Sequence, residues 1–139
     1  MTEIKERTFD GCEKLSNVTI PNNVTSIGKG AFQNCKEFTS IVIPNNVTQI
    51  EEYAFADCSK LSSINIPNAV TSIGQYAFCN CNELASINIP NNVTTMKNEV
   101  FKWWTSSQVI NIDFKENEIP SGWNSRWNTD CNAQINYAQ

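Results

Sequence analysis

The chain has 139 residues and a formal net charge of -4, and hydrophobic residues make up 40% of it. This length fits a single domain, and the Lys and Arg residues are scattered singly, so we expect no nucleic acid partner. No apolar run approaches the roughly 18 residues of a membrane span, and Met1 leads into charged residues rather than into an apolar signal segment. We therefore expect no membrane insertion.

A block of about 23 residues recurs along the chain and is marked by Ile-Pro pairs. The interval between the pairs never changes, and such a strict period is typical of a solenoid in which each repeat forms one coil. Ile4, Phe9 and Cys12 already fit the pattern, so we expect the first coil to be partial. The pairs are Ile20-Pro21, Ile43-Pro44, Ile66-Pro67 and Ile89-Pro90.

Each repeat contains a short predicted strand, exemplified by Leu61–Pro67. Ile64 and Ile66 alternate with polar residues, so both should point inward from a strand that the proline ends. Stacked copies predict a parallel sheet with strands about 4.8 Å apart. Its outer face would present short, nearly uncharged side chains as a candidate partner-binding face: Ser40, Val42, Ser63, Asn65, Ser86, Asn88 and Asn111.

The part of each repeat that follows the proline is predicted to turn back towards the next strand. Pairs such as Asn45-Asn46 favour a corner, because Asn side chains bond their own backbone. A second short extended piece follows, with Ile50 directed inward. The Ala54-Phe55 step is predicted to lie in a helical or 3₁₀ turn, where the small Ala allows close approach. A lone coil buries too little apolar surface to be stable, so stability should depend on neighbouring coils.

The regular pattern decays in the last third of the chain, where all four tryptophans lie. We predict an array of about five coils over residues 1–112, the first one partial, and a divergent capping segment over residues 113–139. One interpretation is that the tryptophans cover the last coil, whose open side must be closed. The alternative is that exposed Trp123 and Trp127 bind carbohydrate by stacking on sugar rings.

Four of the six cysteines recur at one repeat position and should stack as a ladder: Cys12, Cys35, Cys58 and Cys81. A zinc site needs converging ligands, and the chain has no histidine, so we expect no metal and no cofactor. Buried free thiols are favoured, although disulfides between adjacent rungs stay open. Cys79 and Cys131 lie outside the ladder and would pair only if the tail folded back on the third coil.

Four Asn-Val-Thr sequons would accept glycans in a eukaryotic secretory protein, while the alternative is that Asn shapes the corner of the repeat. They begin at Asn17, Asn23, Asn46 and Asn92.

Residues able to carry catalysis are sparse. A nucleophilic cysteine would need a base, and no histidine is present. Glu51-Glu52 and the pair Glu116 and Glu118 come nearest to a carboxylate pair, but both are expected to be solvated. We therefore predict no catalytic residues and no enzyme.

The frame Cys-x-x-Leu-x-x-Ile-x-Ile-Pro-x-x-Val-Thr-x-Ile-Gly-x-x-Ala-Phe, read from Cys58 to Phe78, resembles the BspA-like leucine-rich repeat family over about residues 2 to 112. The resemblance implies a leucine-rich repeat solenoid. This is a β-rich right-handed superhelix with a parallel sheet on one face and short extended or 3₁₀/helical turns on the other. Members are typically surface or secreted proteins implicated in adhesion and protein binding.

The resemblance implies a non-enzymatic protein-binding scaffold that is extracellular or at the cell surface and uses its exposed sheet face. Its protein partner is not identified. Two alternatives stay open: carbohydrate binding by the Trp-rich tail, and a structural spacer within a longer solenoid. Self-association through open solenoid ends is also expected, because exposed apolar edges favour it.

Overall fold

A computed structural model describes residues 2–139, so the predicted start of the array at Met1 lies outside the described residues. The chain winds into about six coils joined by parallel strand pairs, which confirms the predicted leucine-rich repeat solenoid. In chain order the strands are β1 Glu3–Ile4, β2 Ser26–Ile27, β3 Ser40–Ile41, β4 Gln49–Ile50, β5 Ser63–Ile64, β6 Ser72–Ile73, β7 Ser86–Ile89, β8 Thr95–Met96, β9 Val109–Ile112 and β10 Gln134–Tyr137.

Helical structure is almost absent from residues 2–139, whose one helical element is a 3₁₀ turn at Glu116–Glu118. No helix within this range is both long enough and apolar enough to cross a bilayer.

The Val-Thr face, formed by β1, β2, β4, β6 and β8, is a continuous five-stranded parallel sheet. Its register pairs Ile27 with Ile50 and Ile50 with Ile73, so equivalent side chains form columns directed into the core. The Thr48 hydroxyl also donates to the Thr25 carbonyl of the preceding coil at 3.2 Å. The second extended piece of each repeat therefore builds the more continuous of the two strand-bearing faces.

The Ile-Pro face, formed by the strands that the sequence pattern predicted, is divided into a β3-β5 pair and a β7-β9-β10 sheet. Proline has no N–H to donate, so it shortens the strand pairing where it stands. Asp113 occupies the proline position of the fifth repeat, and its N–H donates to the Ile89 carbonyl at 3.0 Å. The pairing of β7 with β9 accordingly extends over four residues.

The turn face, which includes residues 51–58, has the three-residue hydrogen bonds of a 3₁₀ turn at the predicted Ala54-Phe55 step: the Ala54 N–H donates to the Glu51 carbonyl at 3.3 Å and the Ala56 N–H to the Tyr53 carbonyl at 3.1 Å. The Phe55 N–H instead donates to the Ala77 carbonyl of the next coil at 2.9 Å, so the turns do not extend into a continuous helix. Tyr53 and Asp57 on either side have φ values of 57° and 60°, in the left-handed region. Left-handed residues reverse the direction of the amides, and the turn face thereby gains hydrogen bonds between coils.

The core is a column of parallel phenylalanine rings along the solenoid. Successive ring centroids lie 5.2 to 5.9 Å apart, with interplanar angles of 11° or less. Each internal ring therefore contacts one ring on either side, so burial in one coil depends on its neighbours. The rings are Phe9, Phe32, Phe55, Phe78 and Phe101.

Residues 113–139, predicted as a divergent capping segment, continue both faces. β10 pairs in parallel with β9, and Trp123 forms a parallel bridge with Met96 of the Val-Thr face. The approach is close, because a Cβ added at Gly122 would overlap the Thr94 carbonyl. The tail is thus wound onto the array rather than extending away from it.

Candidate functional site

The predicted partner-binding residues all lie on the outer side of the Ile-Pro face. Six of them are exposed, and Asn111 is half-buried. Val42 is 77% exposed, which is unusual for a large apolar side chain in this chain. The face therefore presents short side chains with one prominent apolar group near its N-terminal end.

Val42 lines a shallow cleft of about 350 Å³ between the first and second coils. One wall consists of Asn17–Ile20, a segment that does not pair with β3, and the other includes Ser40 and Val42. Ile20 and Ile41 at the cleft are buried. The cleft thus combines apolar contact area with hydroxyl and amide groups.

Asn65 has a structural role that the sequence did not reveal. Its side-chain Oδ1 accepts from the Ile43 N–H at 3.0 Å, and its Nδ2 donates to the Ile43 carbonyl at 3.2 Å. The side chain thus replaces a pair of backbone hydrogen bonds between the coils. A substitution at Asn65 would alter the scaffold as well as the surface.

Asn88 and Asn111 belong to a ladder of amide side chains on β7, β9 and β10. The Asn111 Nδ2 donates to the Asn88 Oδ1 at 2.9 Å, and the Asn136 Nδ2 donates to the Asn111 Oδ1 at 3.0 Å. These bonds tie the last three strands of the Ile-Pro face together. Val42, Ser40, Ser63 and Ser86 are the predicted residues whose side chains are exposed outside these amide contacts.

The carbohydrate-binding hypothesis at Trp123 and Trp127 is contradicted by the burial of both rings. They are only 7% and 8% exposed, because Trp127 meets Phe101 edge-on and Trp123 meets Trp127 at a centroid distance of 5.3 Å. The Trp123 Nε1 donates to the Val93 carbonyl at 2.8 Å. Neither indole offers a free face for a sugar ring, and both close the end of the core.

The cysteine ladder is buried from Cys35 to Cys81, as predicted, while Cys12 on its first rung is exposed. Each buried thiol donates to the carbonyl of a core phenylalanine in the preceding coil. For Cys58 the Sγ lies 3.0 Å from the Phe32 carbonyl oxygen. In the fifth coil the Trp104 Nε1 takes over this role and donates to the Phe78 carbonyl at 2.8 Å.

The three buried thiols of the ladder, Cys35, Cys58 and Cys81, are kept protonated by their surroundings. Burial, with the neighbouring Cys12, raises the pKa of Cys35 to about 11, and burial raises the pKa values of Cys58 and Cys81 still further. Since the thiolate is the reactive form, these residues are poor nucleophiles. Cys79 and Cys131 are also free thiols, so the tail does not cross-link to the array in this structure.

Two of the sequon asparagines lie at the predicted corner, but each bonds the backbone of the preceding coil rather than its own. The Asn46 Nδ2 donates to the Asn22 carbonyl at 2.6 Å, and the Asn92 Nδ2 donates to the Asn68 carbonyl at 2.7 Å. The nitrogen that would carry a glycan is therefore engaged in joining neighbouring corners.

Glu99 is the centre of an ionic network where the fifth coil meets the tail. Glu99 is only 6% exposed. Its Oε1 lies 3.2 Å from the Lys102 Nζ and 3.6 Å from the Arg126 Nη2. A hydrogen bond from Tyr76, together with Lys102 and Arg126, holds its pKa below the usual range in spite of desolvation. Lys102 also contacts Asp130 of the tail at 3.4 Å. The network fastens the last coil to the array.

No group of three or more His, Cys, Asp or Glu side chains converges within residues 2–139. The exposed surface of the described residues is formed by the outer sides of the stacked coils. Two faces of parallel strands, a 23-residue step between bonded partners and inward columns of Ile and Phe define a leucine-rich repeat solenoid.

The chain belongs to the BspA-type leucine-rich repeat family. The model of the family described as "BspA type Leucine rich repeat region" matches residues 2–126 in six copies. The resemblance noted in the sequence is thereby confirmed.

Solved structures of bacterial leucine-rich repeat proteins share the fold. A leucine-rich repeat protein of T. pallidum is 27% identical, with a TM-score of 0.75 over 80% of this chain and 52% of that chain. A leucine-rich cell surface protein of Faecalibacterium prausnitzii is 29% identical, with a TM-score of 0.61 over 81% of this chain and 39% of that one. The present chain thus spans about half the length of these proteins or less. Comparison with curated proteins gave no match.

Proposed function

We propose that the chain is a non-enzymatic scaffold that binds a protein through the Ile-Pro face and acts in adhesion or host interaction. The observation that carries the proposal is the exposed Val42 in its cleft, among short polar side chains. An apolar centre within a polar rim is the usual anatomy of a protein interface. The leucine-rich repeat family and its cell-surface relative support the same assignment.

A location outside the cell or at its surface is part of this proposal. It is supported by the BspA-type family and by the relative described as a cell surface protein. The same relatives support a non-enzymatic role, because repeat families of this kind generally serve as scaffolds.

The test is binding of the fluorescently labelled chain to intact cells, with and without prior trypsin treatment. Val42→Glu should reduce binding at least about tenfold, since it places a charge in the apolar centre of the cleft. Trypsin should remove the same signal, because it digests surface proteins. Val42 is exposed, so the variant should fold normally.

Gln49→Glu provides the matched control. It adds the same charge at an exposed position of the Val-Thr face. Loss of binding in both variants would indicate an effect of net charge, and unchanged binding of Val42→Glu would reject the Ile-Pro face as the binding surface.

Self-association through the ends of the solenoid stays a proposal. An apolar cavity of about 360 Å³ at the N-terminal end is lined by Ile4, Thr8 and Phe9, among others. Sedimentation velocity over a range of concentrations would detect such a dimer, and a constant sedimentation coefficient would contradict it.

A further inference from the structure

The turn face carries one large exposed aromatic side chain, Trp103. It is 56% exposed, whereas the other three tryptophans are buried. Exposure of so much apolar surface lowers solubility and adds little to stability. The exposure of Trp103 is therefore better explained by a function than by a contribution to stability.

The backbone conformation at Trp103 also indicates a functional role for this residue. Trp103 is the last member of a column in which each residue has a positive φ, and its own φ is 69°. Glycine, asparagine and aspartate tolerate this conformation, whereas a bulky side chain is disfavoured there. Only the fifth coil departs from such residues, since the column reads Gly11, Asn34, Asp57, Asn80 and Trp103.

A neighbouring column also contains large left-handed residues, of which Arg7 is exposed and the other three are at least partly buried. Tyr53 and Tyr76 stack with ring centroids 4.8 Å apart, and Glu99 is buried in its ionic network. Contacts of this kind offset backbone strain. The Lys102 ammonium lies 5.5 Å from the Trp103 ring centroid, and more than half of the residue's surface is exposed.

The surroundings of Trp103 indicate which ligand would suit it. The charges next to Trp103 are paired, because Lys102 contacts both Glu99 and Asp130 and Arg126 contacts Glu99. The column leading to the ring is polar and planar, with the Asn80 Nδ2 donating to an Asp57 oxygen at 2.8 Å. Amide and carboxylate side chains of this kind are hydrogen-bond partners for sugar hydroxyl groups.

We propose that Trp103 is the stacking platform of a binding site for a neutral oligosaccharide on the turn face. The apolar face of a pyranose ring would lie on the indole, and its hydroxyl groups would meet the amide and carboxylate groups of Asn80 and Asp57. The solenoid repeats these positions at each coil, so an unbranched oligosaccharide would run along the column. This site is separate from the Ile-Pro face and does not depend on the function proposed there.

The test uses the full chain and an array of neutral, unbranched gluco-, manno- and galacto-configured tetrasaccharides. Tetrasaccharides that bind are then titrated by calorimetry against the native chain, Trp103→Asn and Trp103→Phe. Trp103→Asn restores the residue type found in other coils, so it should lose at least about tenfold in affinity, about 1.4 kcal/mol. Its melting temperature should be unchanged or raised, because Asn tolerates the positive φ. Trp103→Phe keeps an aromatic ring and should retain part of the affinity.

Val42→Asn is the matched control, since it replaces the other large exposed apolar residue with Asn on a different face. Its affinity for the tetrasaccharide should equal that of the native chain. The proposal is overturned if the native chain binds no tetrasaccharide at millimolar concentration, or if Trp103→Asn binds as well as the native chain. Capture of a protein, but of no glycan, in a Trp103-dependent manner would also overturn it and would assign a protein interface instead.

Discussion

The coils between residues 25 and 93 are held together by contacts that repeat, whereas the last coil is held by contacts that occur once. In the inner coils the phenylalanine rings are parallel and the thiol donors recur at every rung. At the end, Trp104 and Trp127 meet Phe101 at 71° and 87°. An indole turned edge-on ends the column because it offers no parallel face to a further coil.

This difference explains why the array can be extended by repetition but must be ended by a different sequence. A repeated contact needs only the same residue at the same position of each coil. A terminating contact needs a side chain of different shape, and here it is reinforced by ion pairs from Glu99 and Lys102 to the tail. The comparison predicts that damage to the inner coils is global and damage to the end is local.

The largest effect is expected for Phe55→Ala, in the middle of the ring column. Phe55 is fully buried and stacks on Phe32 at 5.3 Å and on Phe78 at 5.6 Å, so the cavity would face two coils. We expect the free energy of unfolding to fall by about 3–5 kcal/mol. Urea denaturation monitored by circular dichroism would measure it, and a loss below about 1 kcal/mol would contradict the column as a source of stability.

Trp127→Ala tests the prediction that damage to the end of the array stays local. Trp127 closes only one end of the column, so the loss should be confined largely to the last coil. Hydrogen exchange should accelerate at the amides of β10 and remain slow at those of β4 and β6. Equal acceleration along the whole chain would show that the end and the interior form one cooperative unit.

A smaller effect is expected from the thiol ladder. Cys58→Ala removes the donor to the Phe32 carbonyl and leaves a small cavity, which should cost about 1–3 kcal/mol. Cys58→Ser keeps a donor at the same position and should cost less. A chemical denaturation curve for each variant gives the comparison, and a serine variant less stable than the alanine variant would argue against the hydrogen bond as the reason for cysteine.

The smallest effect is expected from protonation of Glu99, which should weaken the end of the array and not its interior. Its pKa is lower in the folded state than in the unfolded chain, so its stabilisation is present above the unfolded pKa of about 4.3 and is lost as the pH falls through the folded pKa. The protection of the β10 amides, measured relative to the intrinsic exchange rate at each pH, should therefore fall at acidic pH. Glu99→Gln should show less of this pH dependence, and an identical dependence in both proteins would assign it to another group.

The candidate surfaces were only partly predictable from the sequence. The exposed positions on the Ile-Pro face followed from the alternation around Ile41 and Ile64, because successive side chains of a strand point to opposite sides. The hydrogen bonding of the Asn65 side chain to the Ile43 backbone could not be predicted from the sequence, since an Asn on a strand can point to solvent equally well. Likewise, four tryptophans near one another gave no sign of which one would remain exposed.

The sequence by itself determined the period, the inward residues and the stacking of equivalent positions. Each copy of the repeat carries the same signal, so the copies reinforce one another and in-register pairing buries every column at once. Only the tertiary structure decided the reversal of amides on the turn face, the division of the Ile-Pro sheet and the edge-on closure by Trp127. These features depend on backbone direction and on packing between unlike side chains, which a pattern of residue types does not specify.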